Sequence, residues 1–329
     1  MGRMFAQVSR DILSAIGNTP LVEIRRMIEG AKFRLLAKLE MLNPGGSMKD
    51  RPALSMIKHG IEIGRVRPDT VIIESSSGNM GIGLAQACAS LGLRLICVVD
   101  PKTTKQNIGI LKAYGATIEL VTTPDPQTGE YLQARLNHVK TLQAQIKNSY
   151  WPDQYSNQYN PKAHRAIMNE IVRDLNGEPD YLICSTSTCG TIRGCAEYKQ
   201  AHNLKTKIYA VDAEGSVIFD GKRGARLIPG HGAAVRPNLY QPGLADCCIR
   251  MTDLDCVVGC RRLARREAIL AGGSSGAVIM AVEKLKSEIP PGSVVVAIFA
   301  DRGERYLDTI YSDSWVADHF GADAYLWEA

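Results

Sequence analysis

Residues 43–51 read Asn-Pro-Gly-Gly-Ser-Met-Lys-Asp-Arg, and this stretch decides how the rest of the chain is interpreted. The proline, two glycines and a serine predict a tight turn that leads into a helix near 49–64. A lysine at such a position can capture an aldehyde if a low-dielectric pocket and a neighbouring cation lower the pKa of its amine. We therefore predict Lys49 as a reactive lysine with Arg51 as the neighbouring cation. Taken alone, the stretch is more typical of a capped helix with a solvated lysine.

Length and composition limit the class of protein. The chain has 329 residues with 45% hydrophobic content, which predicts one globular protein of two lobes with a large core. It contains no run of about eighteen apolar residues, and residues 1–7 lack the apolar core of a secretory signal, so we expect a cytoplasmic protein without membrane contact. Its nine cysteines include no C-x-x-C pair and its six histidines lack metal-ligand spacing, which predicts reduced thiols and no metal.

The charge pattern favours small anionic ligands over nucleic acid. The net charge of +5 comes from dispersed lysines and arginines. The one cluster, Arg261, Arg262, Arg265 and Arg266, is typical of a solvated helix face. Nucleic-acid binding needs a basic stripe with interleaved aromatics, whereas aromatic residues make up only 6% of the chain. We expect no nucleic-acid partner, and the modest positive charge suits anionic metabolites.

Strand-like and helix-like segments alternate along the chain and predict an α/β fold. The predicted strands lie at residues 71–74, 95–99, 117–121, 181–184, 207–211 and 294–298, and the predicted helices at 49–64, 79–91, 105–114 and 130–147. This order is typical of parallel βαβ units arranged in two layers. Ligands bind at the carboxyl ends of such strands, where the remaining motifs fall.

Three further loops place small polar residues at the start of a helix. Residues 74–81, Glu-Ser-Ser-Ser-Gly-Asn-Met-Gly, offer N–H groups and hydroxyls suited to a carboxylate, and Asn79 adds a donor for a cofactor hydroxyl. Residues 187–191, Ser-Thr-Cys-Gly-Thr, suit a terminal phosphate. Residues 271–277, Ala-Gly-Gly-Ser-Ser-Gly-Ala, again put hydroxyls ahead of a helix. Each loop by itself is also typical of helix capping or of a common glycine-rich turn.

Taken in this order, the four loops resemble those of the fold-type II pyridoxal-phosphate enzymes of the cysteine synthase and cystathionine β-synthase group. Residues 16–21, Ile-Gly-Asn-Thr-Pro-Leu, and residues 303–307, Gly-Glu-Arg-Tyr-Leu, match as well, so the resemblance spans about residues 12–312. It implies an enzyme with pyridoxal 5′-phosphate as its cofactor, two lobes that each hold a mostly parallel twisted sheet flanked by helices, and a homodimer. The implied larger lobe comprises residues 1–45 and 149–329, and the smaller, mobile lobe residues 46–148.

The resemblance also implies roles for individual residues. Lys49 would form the Schiff base and act in catalysis, Asn79 would contact the 3′-oxygen of the cofactor, and Ser274 would face its pyridine nitrogen. The cofactor phosphate would lie against Ser187, Thr188, Cys189, Gly190 and Thr191, and the substrate carboxylate against Ser76, Ser77, Gly78, Asn79, Met80 and Gln154. A neutral hydroxyl at Ser274 makes the ring a milder electron sink than an aspartate would, which favours β-elimination to an aminoacrylate over transamination.

Short segments at 41–52, 98–102, 212–219 and 301–308 resemble a subgroup that supplies 2,3-diaminopropionate for siderophores or antibiotics. That likeness implies a β-replacement in which L-glutamate displaces phosphate from O-phospho-L-serine. The phosphate needs a cation, and positional similarity implies Arg135, whose planar fork suits phosphate, with Tyr155 bordering the same pocket. A solvated arginine and a packed tyrosine are the ordinary alternatives.

Other activities remain open at this stage. Cysteine synthases typically carry threonine after the loop asparagine and a phosphate loop richer in glycine, whereas this chain has Met80 and Thr188-Cys189, which disfavours sulfide as the nucleophile. Cysteine synthase acting on O-acetylserine or O-phosphoserine is the chief alternative, and cystathionine β-synthase a further one. A catalytically silent relative that binds the cofactor as a sensor is the alternative from another class, and the complete set of loops with Lys49 argues against it. We expect Cys189 to serve packing, since the chemistry needs no thiol.

Overall fold

The computed structural model describes residues 9–321 of the chain. Its strands in this range are Leu21–Glu23 (β1), Arg34–Leu39 (β2), Val71–Ser75 (β3), Arg94–Val99 (β4), Thr117–Leu120 (β5), Ser149–Tyr150 (β6), Tyr181–Ser185 (β7), Lys207–Ala213 (β8), Cys247–Met251 (β9) and Val294–Phe299 (β10). Its α-helices are Asp50–Glu62 (α1), Asn79–Leu91 (α2), Lys105–Ala113 (α3), Tyr131–Gln145 (α4), Tyr159–Leu175 (α5), Gly190–Ala201 (α6), Asp253–Glu267 (α7), Gly273–Lys284 (α8) and Asp313–Phe320 (α9). Short 3-10 helices lie at Leu13–Ala15, Glu40–Leu42 and Gly303–Tyr306.

The strands form two separate sheets. The larger sheet has the order β1-β2-β10-β7-β8-β9, and all of its pairs are parallel except the edge pair of β1 with β2. The smaller sheet has the order β5-β4-β3-β6 and is parallel throughout. The α/β fold with two mostly parallel sheets that the sequence predicts is confirmed.

Each sheet is covered on both faces, which explains why a central strand such as β10 is apolar without interruption. Along β10, Val295, Ala297 and Phe299 belong to a core shared with α7 and α8, whereas Val296 and Ile298 belong to a core shared with α5 and α6. In the smaller sheet, the core with α1, α2 and α3 lies on one face and the core with α4 on the other. This alternation follows from the two-residue period of a strand buried on both sides.

The predicted elements agree with those observed. All six predicted strands and all four predicted helices occur, with ends that differ by at most two residues. Four strands were not predicted: β1, β2, β6 and β9. The lobe boundaries stay a prediction, and their outer parts, residues 1–8 and 322–329, lie outside the described residues; β6, at residues 149–150, pairs with β3 of the smaller sheet.

The loops singled out in the sequence lie where the fold places ligands. The loop that carries Lys49 comes after β2, the asparagine loop joins β3 to α2, and the 187–191 loop joins β7 to α6. These are the carboxyl ends of parallel strands, the edge at which open α/β sheets bind ligands. None of the helices in residues 9–321 has the length and apolar character that a membrane span requires.

Candidate active site

A cavity of about 200 Å³ opens at these strand ends, and its walls come from both sheets. Of the fifteen site residues predicted from the sequence, fourteen line it: Lys49, Ser76, Ser77, Gly78, Asn79, Met80, Arg135, Gln154, Tyr155, Ser187, Thr188, Cys189, Thr191 and Ser274. Gly190 does not line the cavity, because its Cα packs against Asn160, where an added Cβ would lie 2.1 Å from the side-chain oxygen. Segments far apart in sequence therefore meet at one place.

The turn before Lys49 is fastened to the end of β10. Gly46 adopts φ +83°, a left-handed conformation that favours glycine, and the backbone N–H of Met48 donates to the carbonyl of Ala300 at 2.8 Å. Lys49 is partly buried, and its amine has no hydrogen bond or ion pair within the described range. Burial lowers the pKa of Lys49 to about 8, although the charge of Asp301 acts in the opposite direction. A fraction of this amine is thus neutral near neutral pH.

The predicted influence of Arg51 on Lys49 is wrong. The guanidinium of Arg51 is buried and donates to Glu40 at 2.6 and 2.7 Å and to Glu170 at 2.7 and 2.8 Å. Its charge is neutralised by these two carboxylates, so burial and not a second cation lowers the pKa of the lysine.

Three side chains hold the asparagine loop, residues 74–81, in place. The Ser76 hydroxyl accepts from the backbone N–H of Gly81 at 2.9 Å, which caps the first turn of α2. The Asn107 amide donates to the carbonyl of Ser77 at 3.0 Å, and the Gln154 amide donates to the carbonyl of Ser75 at 3.3 Å. Gln154, predicted to bind substrate together with this loop, therefore also supports it. The fixed loop lines the cavity with residues 76–80 at the start of α2.

The 187–191 loop opens α6 through a left-handed residue. Cys189 has φ +65° and is the residue before the helix, and the Thr188 hydroxyl lies 3.5 Å from the N–H of Gly190. The hydroxyl of Thr191 lies 3.5 Å from Nε2 of the buried His164. Burial raises the pKa of the Cys189 thiol to about 12, so this side chain stays protonated and serves packing.

Ser274 lines the same cavity from the first turn of α8 and is 8% exposed. Its neighbour Ser275 accepts from the backbone N–H of Ala300 at 3.0 Å, which ties the start of α8 to the end of β10. The end of β10 thus positions both Lys49 and Ser274.

Arg135 and Tyr155 line the same cavity, as the likeness to the subgroup implied. Arg135 is 7% exposed on α4, its Nε lies 3.2 Å from an oxygen of Asp100, and its Nη1 has no hydrogen-bond partner in the part of the chain that the structure describes. Tyr155 is partly buried, and burial raises the pKa of its hydroxyl. A buried arginine with an unused nitrogen at a cavity wall is placed to bind an anion, which a solvated helical arginine is not.

The segment after β10 adds three cavity residues that had no predicted role. Asp301, Arg305 and Tyr306 line the cavity, and Asp301 accepts from the Asn79 amide at 2.7 Å and from the Tyr306 hydroxyl at 2.5 Å. Residues 301–308 were noted for their resemblance to the subgroup and residues 303–307 for their match to the family, but nothing local marks a carboxylate that meets a residue 222 positions away. Only the three-dimensional fold brings Asp301, Asn79 and Tyr306 together.

The groups around the cavity fit an aldehyde that carries a phosphate. The first turn of α6 offers unpaired backbone N–H groups beside three hydroxyls, those of Ser187, Thr188 and Thr191, a donor set typical of phosphate sites. The unpartnered amine of Lys49 lies on the same cavity and can react with an aldehyde while it is neutral. In residues 9–321, no group of three or more His, Cys, Asp and Glu side chains could hold a metal ion.

The chain matches a protein-family model described as pyridoxal-phosphate dependent enzyme over residues 12–301. It is similar to N-(2-amino-2-carboxyethyl)-L-glutamate synthase from Ralstonia nicotianae, with 44% identity over 311 residues that cover 94% of this chain and 92% of that protein. The family model spans every strand of both sheets and all fifteen site residues predicted from the sequence.

Solved structures show the same architecture. The cysteine synthase of Entamoeba histolytica matches with a TM-score of 0.87 and 33% identity, and the alignment covers 94% of this chain and 93% of that one. The O-acetylserine dependent cystathionine β-synthase of Helicobacter pylori matches with a TM-score of 0.86 and 31% identity over 93% of this chain and 100% of that one.

Proposed function

The chain belongs to the pyridoxal-phosphate dependent enzyme family, and from this premise we propose that it catalyses a β-replacement in which L-glutamate displaces phosphate from O-phospho-L-serine. The product is N-(2-amino-2-carboxyethyl)-L-glutamate. The family, the enzymatic nature and the cofactor expected from the sequence are confirmed by the match. The choice of substrates rests on the relative with 44% identity and on the groups around the cavity.

We propose that the residues predicted from the sequence hold the cofactor. Ser187, Thr188 and Thr191 at the start of α6 would hold the phosphate, while Cys189 and Gly190 shape the backbone there. Lys49 would bind the aldehyde carbon, and Asn79 and Ser274 would hold the ring. When bound, the cofactor supplies an electron-withdrawing ring that stabilises negative charge at the α-carbon of the substrate. Ser274 leaves that ring without a carboxylate partner, which supports elimination over transamination.

The substrate carboxylate is assigned to the asparagine loop, residues 76–80, with Gln154 beside it. This loop is fixed by Asn107 and Gln154 before any ligand arrives, so little ordering entropy is lost on binding. Lys49, with a pKa of about 8, can accept the α-proton as an amine and return it as an ammonium at the same carbon.

The observation that carries the proposal is the unused Nη1 of the buried Arg135 in the same cavity as Lys49. A leaving phosphate carries up to two negative charges, and its departure is favoured by a cation already in place. An acetate leaving group has half that charge and no matching need for a bidentate fork. Arg135 thus supports phosphoserine over acetylserine as the first substrate.

The proton balance of the reaction is simple. Phosphate departs from the β-carbon, and the amine of glutamate forms the new carbon–nitrogen bond there. Glutamate enters as an ammonium and loses one proton before attack, and the departing phosphate gains one proton as it becomes hydrogen phosphate. The α-proton that Lys49 removes returns to the same carbon, so no oxidant or reductant is needed.

The test is a substrate matrix with the cofactor-loaded protein. O-phospho-L-serine or O-acetylserine is combined with L-glutamate or sulfide, and phosphate release and the product mass are measured. We expect phosphate release that depends on glutamate and a product with the mass of the glutamate adduct. Rapid cysteine formation with sulfide, without any glutamate adduct, would identify a cysteine synthase instead and remove the proposed role of Arg135.

We also propose the pathway, the location and the oligomeric state that the likeness to the subgroup implies. The product would supply 2,3-diaminopropionate for a siderophore or an antibiotic, and the protein would act as a cytoplasmic homodimer. Size-exclusion chromatography with light scattering tests the dimer. Diaminopropionate-dependent rescue of a deletion strain tests the pathway.

A further inference from the structure

Asp301 is a buried carboxylate within the cavity for which the proposed reaction has no assigned use. It is 2% exposed and follows the end of β10 by two residues. Its backbone is fixed on both sides: the carbonyl accepts from the N–H of Gly272 at 2.9 Å, and the residue forms a bridge with Ser47. The carboxylate therefore has a defined position between the lysine turn and the start of α8.

One oxygen of this carboxylate fixes the orientation of Asn79. Oδ2 of Asp301 accepts from the amide nitrogen of Asn79 at 2.7 Å and from the Tyr306 hydroxyl at 2.5 Å. A carboxylate cannot donate, so the NH2 group of the asparagine and not its oxygen must face it. An amide NH2 has two hydrogens, and Asp301 uses one. The second stays available for an acceptor in the cavity.

This contact joins two structural units. Asn79 begins α2 above the smaller sheet, whereas Asp301 and Tyr306 follow the last strand of the larger sheet. Asp301 thereby ties the asparagine loop, which is assigned to the substrate carboxylate, to the sheet end that also positions Lys49 and Ser274.

The other oxygen, Oδ1, is buried and has no hydrogen-bond partner in residues 9–321. It lies against Gly272, where an added Cβ would come within 2.0 Å. A residue with a side chain at position 272 would displace the carboxylate. The structure thus keeps a negative charge in a narrow space beside the lysine.

We propose that Asp301 is a positioning residue of the active site: it orients the Asn79 amide toward the bound cofactor from the opposite sheet and places a negative charge that favours the ammonium form of Lys49. This inference rests on the proposed role of Lys49 in holding the cofactor. It assigns to Asp301 no bond to substrate and no proton transfer.

The charged surroundings of both groups are defined. Lys49 faces Asp301 and Cys189, and its charge in turn contributes to a lowered pKa at His164. Asp301 faces Tyr306, Asn79, Arg305 and Lys49, with the Cys260 thiol and the Tyr311 hydroxyl nearby. Burial raises the pKa of Asp301, while the two hydrogen bonds and the cations Arg305 and Lys49 oppose that rise.

The experiment measures capture of pyridoxal phosphate by the full-length apo-protein as a function of pH. Capture needs the neutral amine of Lys49, so its rate rises with pH around the pKa of that lysine, about 8. Asp301→Asn removes the charge but keeps an oxygen that accepts from Asn79. Because loss of a nearby anion disfavours the ammonium form, we expect the midpoint to move to lower pH and capture at neutral pH to become faster.

Two further variants separate the charge from the hydrogen bonds. Asp301→Ala removes both, so we expect the same shift in the midpoint and an apparent affinity for O-phospho-L-serine weakened about tenfold through the loosened asparagine loop. Tyr306→Phe keeps the charge, so its midpoint should equal that of the wild type. Glu304→Gln is the matched control, because Glu304 is an exposed acid of the same segment and does not line the cavity. It should change neither the midpoint nor the affinity for O-phospho-L-serine.

An unchanged midpoint in Asp301→Asn would overturn the electrostatic part of the proposal, and an unchanged phosphoserine affinity in Asp301→Ala would overturn the positioning part. Should the alanine variant fail to fold, the near-isosteric asparagine variant still decides the first part. Asp301→Ser, whose shorter side chain does not reach Asn79, then decides the second: its affinity for O-phospho-L-serine must be weaker than that of Asp301→Asn. Borohydride reduction and peptide mass of the wild type report separately on the proposed function. If no cofactor adduct is found on Lys49, the proposed role of Lys49 is wrong, whatever the results for Asp301.

Discussion

Lys49 and Arg51 are two residues apart, yet they lie in opposite kinds of environment. Arg51 belongs to a buried cluster in which every charge is matched: its guanidinium donates four hydrogen bonds to Glu40 and Glu170, and Lys38 lies 2.7 Å from Glu170. Lys49 faces a cavity in which buried groups are left unused. These unpaired atoms include Nη1 of Arg135, Nη1 of Arg305 and Oδ1 of Asp301.

The difference shows how one short segment serves both stability and chemistry. Buried charges are tolerated when each is paired, and removing one member strands the others. Buried polar atoms that lack partners raise the energy of the empty protein, and a ligand that satisfies them gains the corresponding binding energy. We therefore expect changes in the matched cluster to alter stability and changes around the cavity to alter activity.

The largest effect is expected for Lys49→Ala. The amine has no partner in the described structure, so its loss should leave the melting temperature close to that of the wild type, while turnover falls by about 10³-fold because the base is gone. Lys105→Ala, at the exposed start of α3 and away from the cavity lining, is the control. Turnover of Lys49→Ala near the wild-type level would contradict the assignment.

Arg51→Ala should show the reverse pattern. It leaves Glu40 and Glu170 buried without their main partner, which is expected to cost about 3–5 kcal/mol of the free energy of unfolding. Arg173→Ala breaks an exposed pair with Asp174 near the end of α5 and should cost less than about 1 kcal/mol. Urea unfolding of the two variants at one pH makes the comparison. Equal losses would mean that the cluster is no more important than a surface pair.

The same cluster predicts a loss of stability in acid. Burial alone would raise the pKa of Glu170, but hydrogen bonds and charges from Arg51 and Lys38 bring it down from 4.5 to about 2. A carboxyl whose pKa is lower in the folded state stabilises the fold above its unfolded pKa and loses that contribution as pH falls from 4.5 through about 2. Urea midpoints over this range should fall more steeply for the wild type than for Arg51→Ala. If the urea midpoints of the two proteins fell in parallel with pH, Glu170 would be excluded as the cause of the acid instability.

A smaller effect is expected at Arg135. Since its removal alone would strand the buried Asp100, the informative variant is Arg135→Met combined with Asp100→Asn, compared with Asp100→Asn alone. The apparent affinity for O-phospho-L-serine should weaken about tenfold or more, as expected for the loss of a charge-assisted contact, while that for O-acetylserine should change little. Equal losses for both substrates would place Arg135 in the framework and not at the phosphate.

The smallest effect concerns the backbone of the 187–191 loop, where we propose that the cofactor phosphate binds. Cys189 has φ +65°, which costs a non-glycine residue about 1–2 kcal/mol. Cys189→Gly should therefore be more stable than Cys189→Ala by about 1 kcal/mol, the reverse of the usual order for these two residues. Thermal unfolding of both apo-proteins measures it. If Cys189→Ala were instead the more stable variant, the backbone strain would be absent at residue 189 or would lie in other residues.

Sequence reasoning worked where the signal is local. The strands β3, β4 and β10 are continuous apolar runs, and the lysine turn and the asparagine loop are short motifs whose residues act together. β2 was missed because Arg34 and Lys38 interrupt its apolar pattern, and the burial of Lys38 is explained only by Glu170 and the carbonyl of Thr19. β6 has two residues, too few for a pattern.

Two features of the site could not be predicted for the same reason. Arg51 follows Lys49 closely in sequence, but residues two apart at a helix start project in different directions. The partners of Arg51 come from the 3-10 helix Glu40–Leu42 and from α5. Asp301 gains its role from the register of β10 and from Asn79, 222 positions earlier. Both depend on tertiary contacts that no window of sequence contains.

The place of β10 in the larger sheet also sets the order of events during synthesis. This strand is the last of the sheet in sequence, yet it pairs with both β2 and β7 and joins residues 34–39 to residues 294–299. Contacts between such distant segments slow folding. On a growing chain the edges of β2 and β7 stay unpaired until residue 299 has emerged, and open strand edges promote aggregation. The cavity itself is complete only after Tyr306 has been made, so a chain that stalls earlier lacks part of the site.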